Sequence, residues 1–148
     1  MAKKILIMAI TDLSKSPRPI RQIKALKDQY IVDTIGLKKS GLERNFYRLR
    51  KNPVYVEILK LPLLLLKMYR AYYWDKYKKK IIKIMNDSNY DLIIVHEVRM
   101  LPLAFKFSNN SKIILDAHEY SPNNFDDNFI WRFFIKDFYI YLCKKYLK

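Results

Sequence analysis

The two histidines of the chain each stand in a His-Glu dipeptide that directly follows an apolar run of isoleucine, leucine and valine. The dipeptides are His96-Glu97 and His118-Glu119. Such apolar runs are typical of parallel strands that are covered on both faces. Neighbouring strands lie about 4.8 Å apart, and ligands of open α/β sheets bind outside the carboxyl ends of the strands. If the two strands are neighbours, the pattern predicts that both dipeptides line one ligand site.

These residues are open to more than one chemical role. A neutral imidazole at His118 could donate or accept a hydrogen bond at physiological pH, or it could cap backbone groups beside Asp116. Glu119 begins the exit loop, and Glu97 could join the site or stabilise the N-terminus of the next helix through its dipole. Two His-Glu pairs could also bind a divalent cation. Because the sequence has no third histidine and no metal-ligand spacing, we predict no metal site.

The loop at 11–17 stands where α/β proteins bind phosphate, at the N-terminus of the first helix. It contains no glycine, so neither a dinucleotide-binding fingerprint nor a Walker loop can be drawn, and we predict no cofactor. Asp12 lies in this loop. Arg18 and Arg21, three residues apart on the following helix, could hold an anion at this edge, or could simply be solvated surface residues.

Composition limits the class of protein further. The 148 residues fit one domain, residues 1–148, and 51% are hydrophobic, which excludes a disordered chain. The net charge of +15 indicates an anionic partner, either phosphates, nucleic acid or a membrane surface, unless it only reflects a lysine-rich background. The single cysteine, Cys143, cannot form an internal disulfide, which favours a reducing compartment. No apolar run is long enough to predict a transmembrane helix.

Apolar periodicity predicts alternating strands and helices. Strands are predicted at 4–10, 30–35 and 54–59 and in the runs before His96 and His118, and helices at 18–28, 61–85, 101–107 and 129–148. Segment 36–52 is predicted to be a basic connection. The result is an α/β fold: a Rossmann-like parallel sheet flanked by helices on both faces.

The 61–85 helix is predicted to pack a tyrosine stripe, including Tyr69, Tyr73 and Tyr77, on the sheet while its lysines face an anionic membrane. The last predicted helix is apolar around most of its circumference and reaches the end of the chain without a capping signal. We therefore expect the chain to be the front portion of a larger protein.

Three segments resemble the N-terminal domain of family 4 glycosyltransferases of the GT-B fold. They are SPRPIRQ at 16–22, YDLIIVHE with LPLA at 90–97 and 101–104, and DAHEYSP at 116–122. They stand in the order and spacing of that family and span almost the whole chain. The resemblance implies the N-terminal half of a GT-B architecture, with two Rossmann-like domains in the complete enzyme.

The resemblance also implies an activity. The family transfers a sugar from a nucleotide-diphosphate donor with retention of anomeric configuration; the N-terminal domain shapes the acceptor site and the C-terminal domain holds most of the donor. By resemblance, His118 lies beside the transferred sugar. The chain departs from the family in lacking a glycine-rich first loop, and the C-terminal donor domain is absent from residues 1–148. We therefore expect this chain not to catalyse transfer by itself.

The expected function is that of an acceptor-side domain in surface glycan biosynthesis, located in the cytoplasm and peripheral at the inner face of the cell membrane. Expected partners are a nucleotide-sugar donor, a glycan or lipid-linked acceptor and an anionic membrane surface, and not nucleic acid. The expected site residues are His118 and Glu119 as catalytic residues, and Asp12, Arg18, Arg21, His96, Glu97 and Asp116 as substrate-binding residues. Two alternatives are a basic α/β module that binds nucleic acid and a small metal-dependent hydrolase.

Overall fold

A five-stranded, all-parallel sheet forms the centre of the molecule, in a computed structural model that describes residues 2–85, 88–117 and 128–147. The strands are β1 (Lys4–Met8), β2 (Ile31–Gly36), β3 (Asn45–Arg48), β4 (Leu92–Val95) and β5 (Lys112–Leu115). Their order across the sheet is β3-β2-β1-β4-β5. The predicted α/β, Rossmann-like class is confirmed. The strands β4 and β5, which precede the two His-Glu dipeptides, are neighbours, so the condition for a shared site is met.

Helices cover the two faces of the sheet unequally. They are α1 (Pro17–Leu26), α2 (Val54–Leu59), α3 (Leu61–Leu65), α4 (Tyr69–Tyr73), α5 (Lys76–Ile84), α6 (Leu101–Phe107) and α7 (Lys136–Tyr146). Strands β2 and β3 extend the sheet on one side of β1, and strands β4 and β5 extend it on the other side. Because parallel crossovers are right-handed, the helices after β1 and β4 lie on opposite faces.

Alternation along the central strands separates two clusters of buried residues. Ile5 and Ile7 of β1 pack with Ile23 of α1 in a small cluster. Leu6 and Met8, which point to the other face, join a much larger cluster with residues of α3 to α7. The same alternation continues past the strand ends and decides on which face each site residue lies.

Two predictions between β2 and α3 were wrong. Segment 54–59 is the helix α2 and not a strand, and Pro53 directly precedes it. The third strand is β3, which lies inside the predicted connection 36–52 and pairs with β2 at the edge of the sheet. Asn45 and Arg48, at the ends of β3, are exposed. The strand therefore lacks the apolar run that revealed the central strands.

The predicted single helix at 61–85 is three helices. The first break is at Lys67, whose φ of 54° is incompatible with a right-handed helix, and the second is at Trp74, whose backbone is extended. Asp75 starts α5 by accepting hydrogen bonds from the amides of Tyr77 and Lys78. Tyr73 is buried as predicted.

The C-terminal part is a π-helical turn, Trp131–Ile135, followed by α7, instead of one uniform helix. Phe138 of α7 is fully buried and its ring contacts those of Tyr69, Tyr72 and Tyr73. Burial raises the pKa of the Cys143 thiol, which suits a structural residue better than a nucleophile. No helix in the described parts of the chain is both long enough and apolar enough to cross a membrane.

Candidate functional site

His96 is the first residue after β4, and its ring is almost fully buried, with 3% of the residue exposed. Its amide donates to the carbonyl of Met8 on the neighbouring β1, which extends the sheet by one residue. Because His96 lies two residues after Ile94, it points to the same face of the sheet as Ile94, where α1 lies. There its Nε2 is 2.9 Å from Oε1 of Gln22.

Asp116 stands at the corresponding position after β5 and meets the same groups. Its Oδ2 accepts a hydrogen bond of 2.9 Å from Nε2 of Gln22 and lies 3.6 Å from Nδ1 of His96. Its Oδ1 lies 3.5 Å from Nη1 of Arg18. Of the predicted site residues, the structure thus brings Arg18, His96 and Asp116 together. With Gln22 they form what we call the switch-point cluster.

The geometry of the switch-point cluster indicates that Nε2 of His96 carries a proton. An ionised carboxylate only accepts hydrogen bonds, so the amide group of Gln22 must direct its NH₂ toward Asp116. The carbonyl oxygen of Gln22 therefore faces His96 and accepts from Nε2–H. The Nδ1 atom then faces Asp116, and protonation at Nδ1 would place an imidazolium beside a carboxylate.

The cluster lies at the carboxyl edge of the sheet, where the direction of sheet growth reverses between β1 and β4. This is the position at which open α/β sheets bind their ligands. A cleft of about 440 Å³ opens beside it. The residues lining the cleft are Thr11, Lys15, Ser16, Pro17, Arg18, Pro19, Arg21, His96 and Glu97.

The cleft is suited to an anionic ligand. Lys15, Arg18 and Arg21 supply exposed cations, and the N-terminus of α1 begins at the cleft wall, where its dipole adds positive potential. The loop is held in shape by Ser16, whose Oγ is 2.6 Å from Oγ1 of Thr11 and donates to the carbonyl of Asp12 at 2.9 Å. Arg21 lines this cleft, and its role in substrate binding stays a prediction.

Glu97 also lines the cleft, but it turns toward the other face of the sheet from His96. Its Oε2 accepts a hydrogen bond of 2.9 Å from the amide of Ile10, which ties the first loop to the end of β4. Burial raises the pKa of Glu97, and the Ile10 amide and the charges of Arg99 and Lys51 oppose that rise only in part. A carboxyl group with a raised pKa is suited to exchanging a proton with a ligand.

Asp12 lies in the same loop but outside the switch-point cluster. Its carboxylate accepts from the hydroxyl of Ser14 and pairs with Lys38 at 3.4 Å. The Ser14 hydroxyl is the main reason why the pKa of Asp12 is below its ordinary value; burial opposes the effect and Lys38 adds to it. Asp12 therefore joins the first loop to the chain that leaves β2.

His118 and Glu119 lie outside the described residues, so their predicted roles stay predictions. Gln22, in contrast, is a central member of the cluster that sequence analysis did not select. A usable signal was present, because Gln22 is four residues after Arg18 and therefore lies on the same side of α1. Among the residues for which the structure gives positions, no group of three or more His, Cys, Asp or Glu could hold a metal ion.

Comparison with protein-family models, with curated proteins and with solved structures gave no match to this chain.

Proposed function

We propose that the chain is the acceptor-side domain of a retaining glycosyltransferase, which moves a sugar from a nucleotide-sugar donor to a membrane-near, lipid-linked acceptor. The observation that carries the proposal is the switch-point cluster, in which Arg18, Gln22, His96 and Asp116 meet beside a cationic cleft. Burying an imidazole beside a carboxylate costs free energy unless the two groups interact with each other or with a ligand.

The chemistry of the cleft matches a phosphorylated sugar. Sugar hydroxyls need donors and acceptors, which His96 and Glu97 offer in the wall of the cleft. A phosphate or diphosphate needs cations, which Lys15, Arg18 and Arg21 offer, and the dipole at the N-terminus of α1 adds positive potential. The family resemblance supplies the reaction: the bond from the anomeric carbon to the donor diphosphate breaks, and a bond to an acceptor oxygen forms while the acceptor hydroxyl loses its proton.

The resemblance also supplies the roles outside the described residues. His118 is proposed to lie beside the transferred sugar and Glu119 to be its polar neighbour. Both follow β5 closely, since Asp116 is only two residues before His118.

The acceptor end of the proposal is tested by titrating the ¹⁵N-labelled chain with a farnesyl-diphosphate-linked N-acetylglucosamine as a soluble mimic of a lipid-linked acceptor. We expect saturable shifts of the amide signals of Thr11, Ser16 and Arg21. The Arg18→Ala substitution should weaken binding about tenfold, roughly 1.4 kcal/mol. Lys24→Ala, on the same helix and exposed, is the matched control and should leave binding unchanged.

Two further probes separate the alternatives. UDP-N-acetylglucosamine should bind weakly and no sugar should be transferred, because the family resemblance assigns most of the donor site to a second domain outside residues 1–148. Micromolar donor binding, about −8 kcal/mol, would place the donor site in this chain and overturn the acceptor-side assignment. Duplex RNA that binds tightly where the acceptor mimic does not would favour the nucleic-acid alternative.

The charge of the chain supports a membrane-near acceptor. Lys76, Lys79, Lys80 and Lys83 of α5 are exposed. A basic residue close to an anionic bilayer contributes about 1 kcal/mol to binding. Lys78 does not belong to this surface, because its ammonium is mostly buried and pairs with Asp75.

A further inference from the structure

The helices α2 and α3 carry an unusual concentration of exposed apolar side chains. We call segment 54–68 the apolar hairpin. The exposed apolar residues within it are Val54, Tyr55, Ile58, Leu59, Leu65, Leu66 and Met68. Leu59 is 75% exposed and Leu66 is 69% exposed. Single exposed apolar residues are normal on a protein surface, but a concentration of this kind marks an interaction surface.

The hairpin is held with its polar side toward the protein. Glu57 accepts a hydrogen bond of 2.7 Å from Nδ2 of Asn52 and one of 3.4 Å from the hydroxyl of Tyr72. Nζ of Lys60 donates to the carbonyl of Tyr72 at 3.3 Å. A surface helix normally buries its apolar face and exposes its charges. Here Glu57 of α2 and its C-cap residue, Lys60, are partly buried, while the apolar residues point outward.

The orientation of the hairpin is fixed by its core contacts. Leu64 of α3 is buried within the larger cluster, and α3 also contacts the π-helical turn 131–135. Phe133 of that turn is exposed, and so are Phe129 and Ile130, which precede it directly. The outward direction of the apolar side chains therefore follows from packing on the opposite side.

Cations flank the apolar hairpin in the chain, and a cationic cleft adjoins its end. Arg50 and Lys51 precede the hairpin, and Lys67 lies at its end. Met68 and Lys67 line a cleft of about 820 Å³ that is also lined by Arg70, Lys79 and Lys106, with no acidic residue in its wall. Because the acidic residue of the hairpin, Glu57, is turned inward, the surface offered to a partner is apolar with a positive margin. That combination is complementary to the acyl chains and headgroups of an anionic bilayer.

We propose that the apolar hairpin inserts into the interfacial layer of a membrane that contains anionic phospholipids, while the flanking cations bind the headgroups. The inference deepens the membrane-near placement proposed above. It adds that binding has two parts, one electrostatic and one apolar. Salt screens the electrostatic part, since the Debye length falls to about 3 Å at 1 M ionic strength. Salt does not screen the burial of apolar side chains.

The test is flotation of the chain with vesicles of phosphatidylcholine and phosphatidylglycerol in equal parts, at about 0.1 M and about 1 M salt. The natural chain should bind at both, with a weaker but measurable partition coefficient at high salt. The double substitution Ile58→Ser/Leu59→Ser should lower the high-salt partition coefficient at least about tenfold. Ile114→Ser/Leu147→Ser removes two exposed apolar side chains outside both the hairpin and α5 and should leave it unchanged.

Insertion is observed directly with an environment-sensitive NBD label at Leu59→Cys in a Cys143→Ser background. Its emission should shift to the blue with vesicles and be quenched by lipids that carry a shallow acyl-chain quencher. The same label at Ile114→Cys should do neither. Circular dichroism of each variant checks that the fold is kept.

Three outcomes would overturn the inference: complete release of the natural chain at high salt, equal losses in the two double variants, or a blue shift without lipid, which would identify a second copy as the occupant. None of these assays contains sugar. Vesicle insertion without binding of the acceptor mimic would therefore overturn the proposed function alone, and the reverse result would overturn the hairpin alone.

Discussion

The two faces of the sheet differ in what they carry. The face toward α1 has a small core cluster, and its strand alternation places His96 and Asp116 beside α1. The opposite face has the larger cluster, and α3 to α7 pack on it. The thin face thus positions the polar residues of the candidate site, while the thick face supplies stability and the proposed membrane surface. Substitutions that separate stability from binding test this division.

The largest loss of stability is expected at the centre of the thick face. Phe138→Ala removes a fully buried ring that contacts three tyrosines and should lower the free energy of unfolding by about 4 kcal/mol. Urea denaturation measures the change. Phe133→Ala, a control at an exposed position of the same region, should change it by less than about 0.5 kcal/mol. Equal effects would contradict the assignment of the larger core.

The next largest effect is expected at the start of α5. Asp75→Ala removes an N-cap and leaves Lys78 buried without its partner, for a loss of about 3 kcal/mol. Burial raises the pKa of Asp75, but the hydrogen bonds and charge of Lys78 outweigh it, so the pKa is below its ordinary value. Asp28→Ala, at an exposed pair with Lys27, is the control and should have little effect.

The lowered pKa of Asp75 predicts the direction in which the free energy of unfolding changes with pH. A carboxylate whose pKa is lower in the folded state stabilises the fold above its unfolded pKa, about 3.9. That contribution is lost as the pH falls through the folded pKa. The difference in unfolding free energy between the natural chain and Asp75→Asn should therefore shrink as the pH is lowered below about 4. A difference that grows toward acid would contradict the pairing with Lys78.

A matched pair of smaller substitutions compares the faces directly. Ile7 and Ile93 are both fully buried on the neighbouring strands β1 and β4, but they belong to the small and the large cluster respectively. Ile7→Val should cost about 0.5 kcal/mol, because the thin layer can close around the missing methyl group. Ile93→Val should cost about 1.5 kcal/mol. Thermal unfolding of the two variants checks the order, and the reverse order would contradict unequal packing.

At the site, a small loss of stability is expected together with a clear loss of binding. Gln22→Ala breaks the two hydrogen bonds that tie His96 to Asp116 and should cost only about 1 kcal/mol, since it lies at the rim of the thin face. Binding of the acceptor mimic should nevertheless fall about tenfold, roughly 1.4 kcal/mol. Gln29→Ala, at an exposed residue between α1 and β2, is the control. Unchanged binding would indicate that the cluster has only a structural role.

The central part of the fold could be predicted from sequence. The runs that form β1 and β4 are apolar because both of their faces are covered, and that burial is itself the sequence signal. The edge strand β3 is short and polar at its ends, so it gives no such signal. Helix α2 was mistaken for a strand because its apolar residues do not face the core, which is the condition that helical periodicity assumes.

The breaks in the predicted helix at 61–85 could not be read from the apolar pattern. Lys67 adopts a left-handed conformation that lysine does not signal. In the site, Arg18, His96 and Asp116 could be predicted from strand ends and a helix start, which topology brings together. Gln22 could not be ranked above its neighbours, because its role depends on the rotation of α1 relative to β4 and β5.

The pairing of β1 with β4 has a consequence for synthesis on the ribosome. The partners Lys4 and Asp91 are separated by 87 positions in the chain, while β2 follows β1 directly. At about 5–20 residues per second, one side of β1 remains without its partner strand for several seconds after β2 has emerged. During that interval an apolar strand edge is open to nascent chains on neighbouring ribosomes. We therefore expect that, during synthesis, binding of the nascent chain by chaperones matters more than the stability of the folded protein.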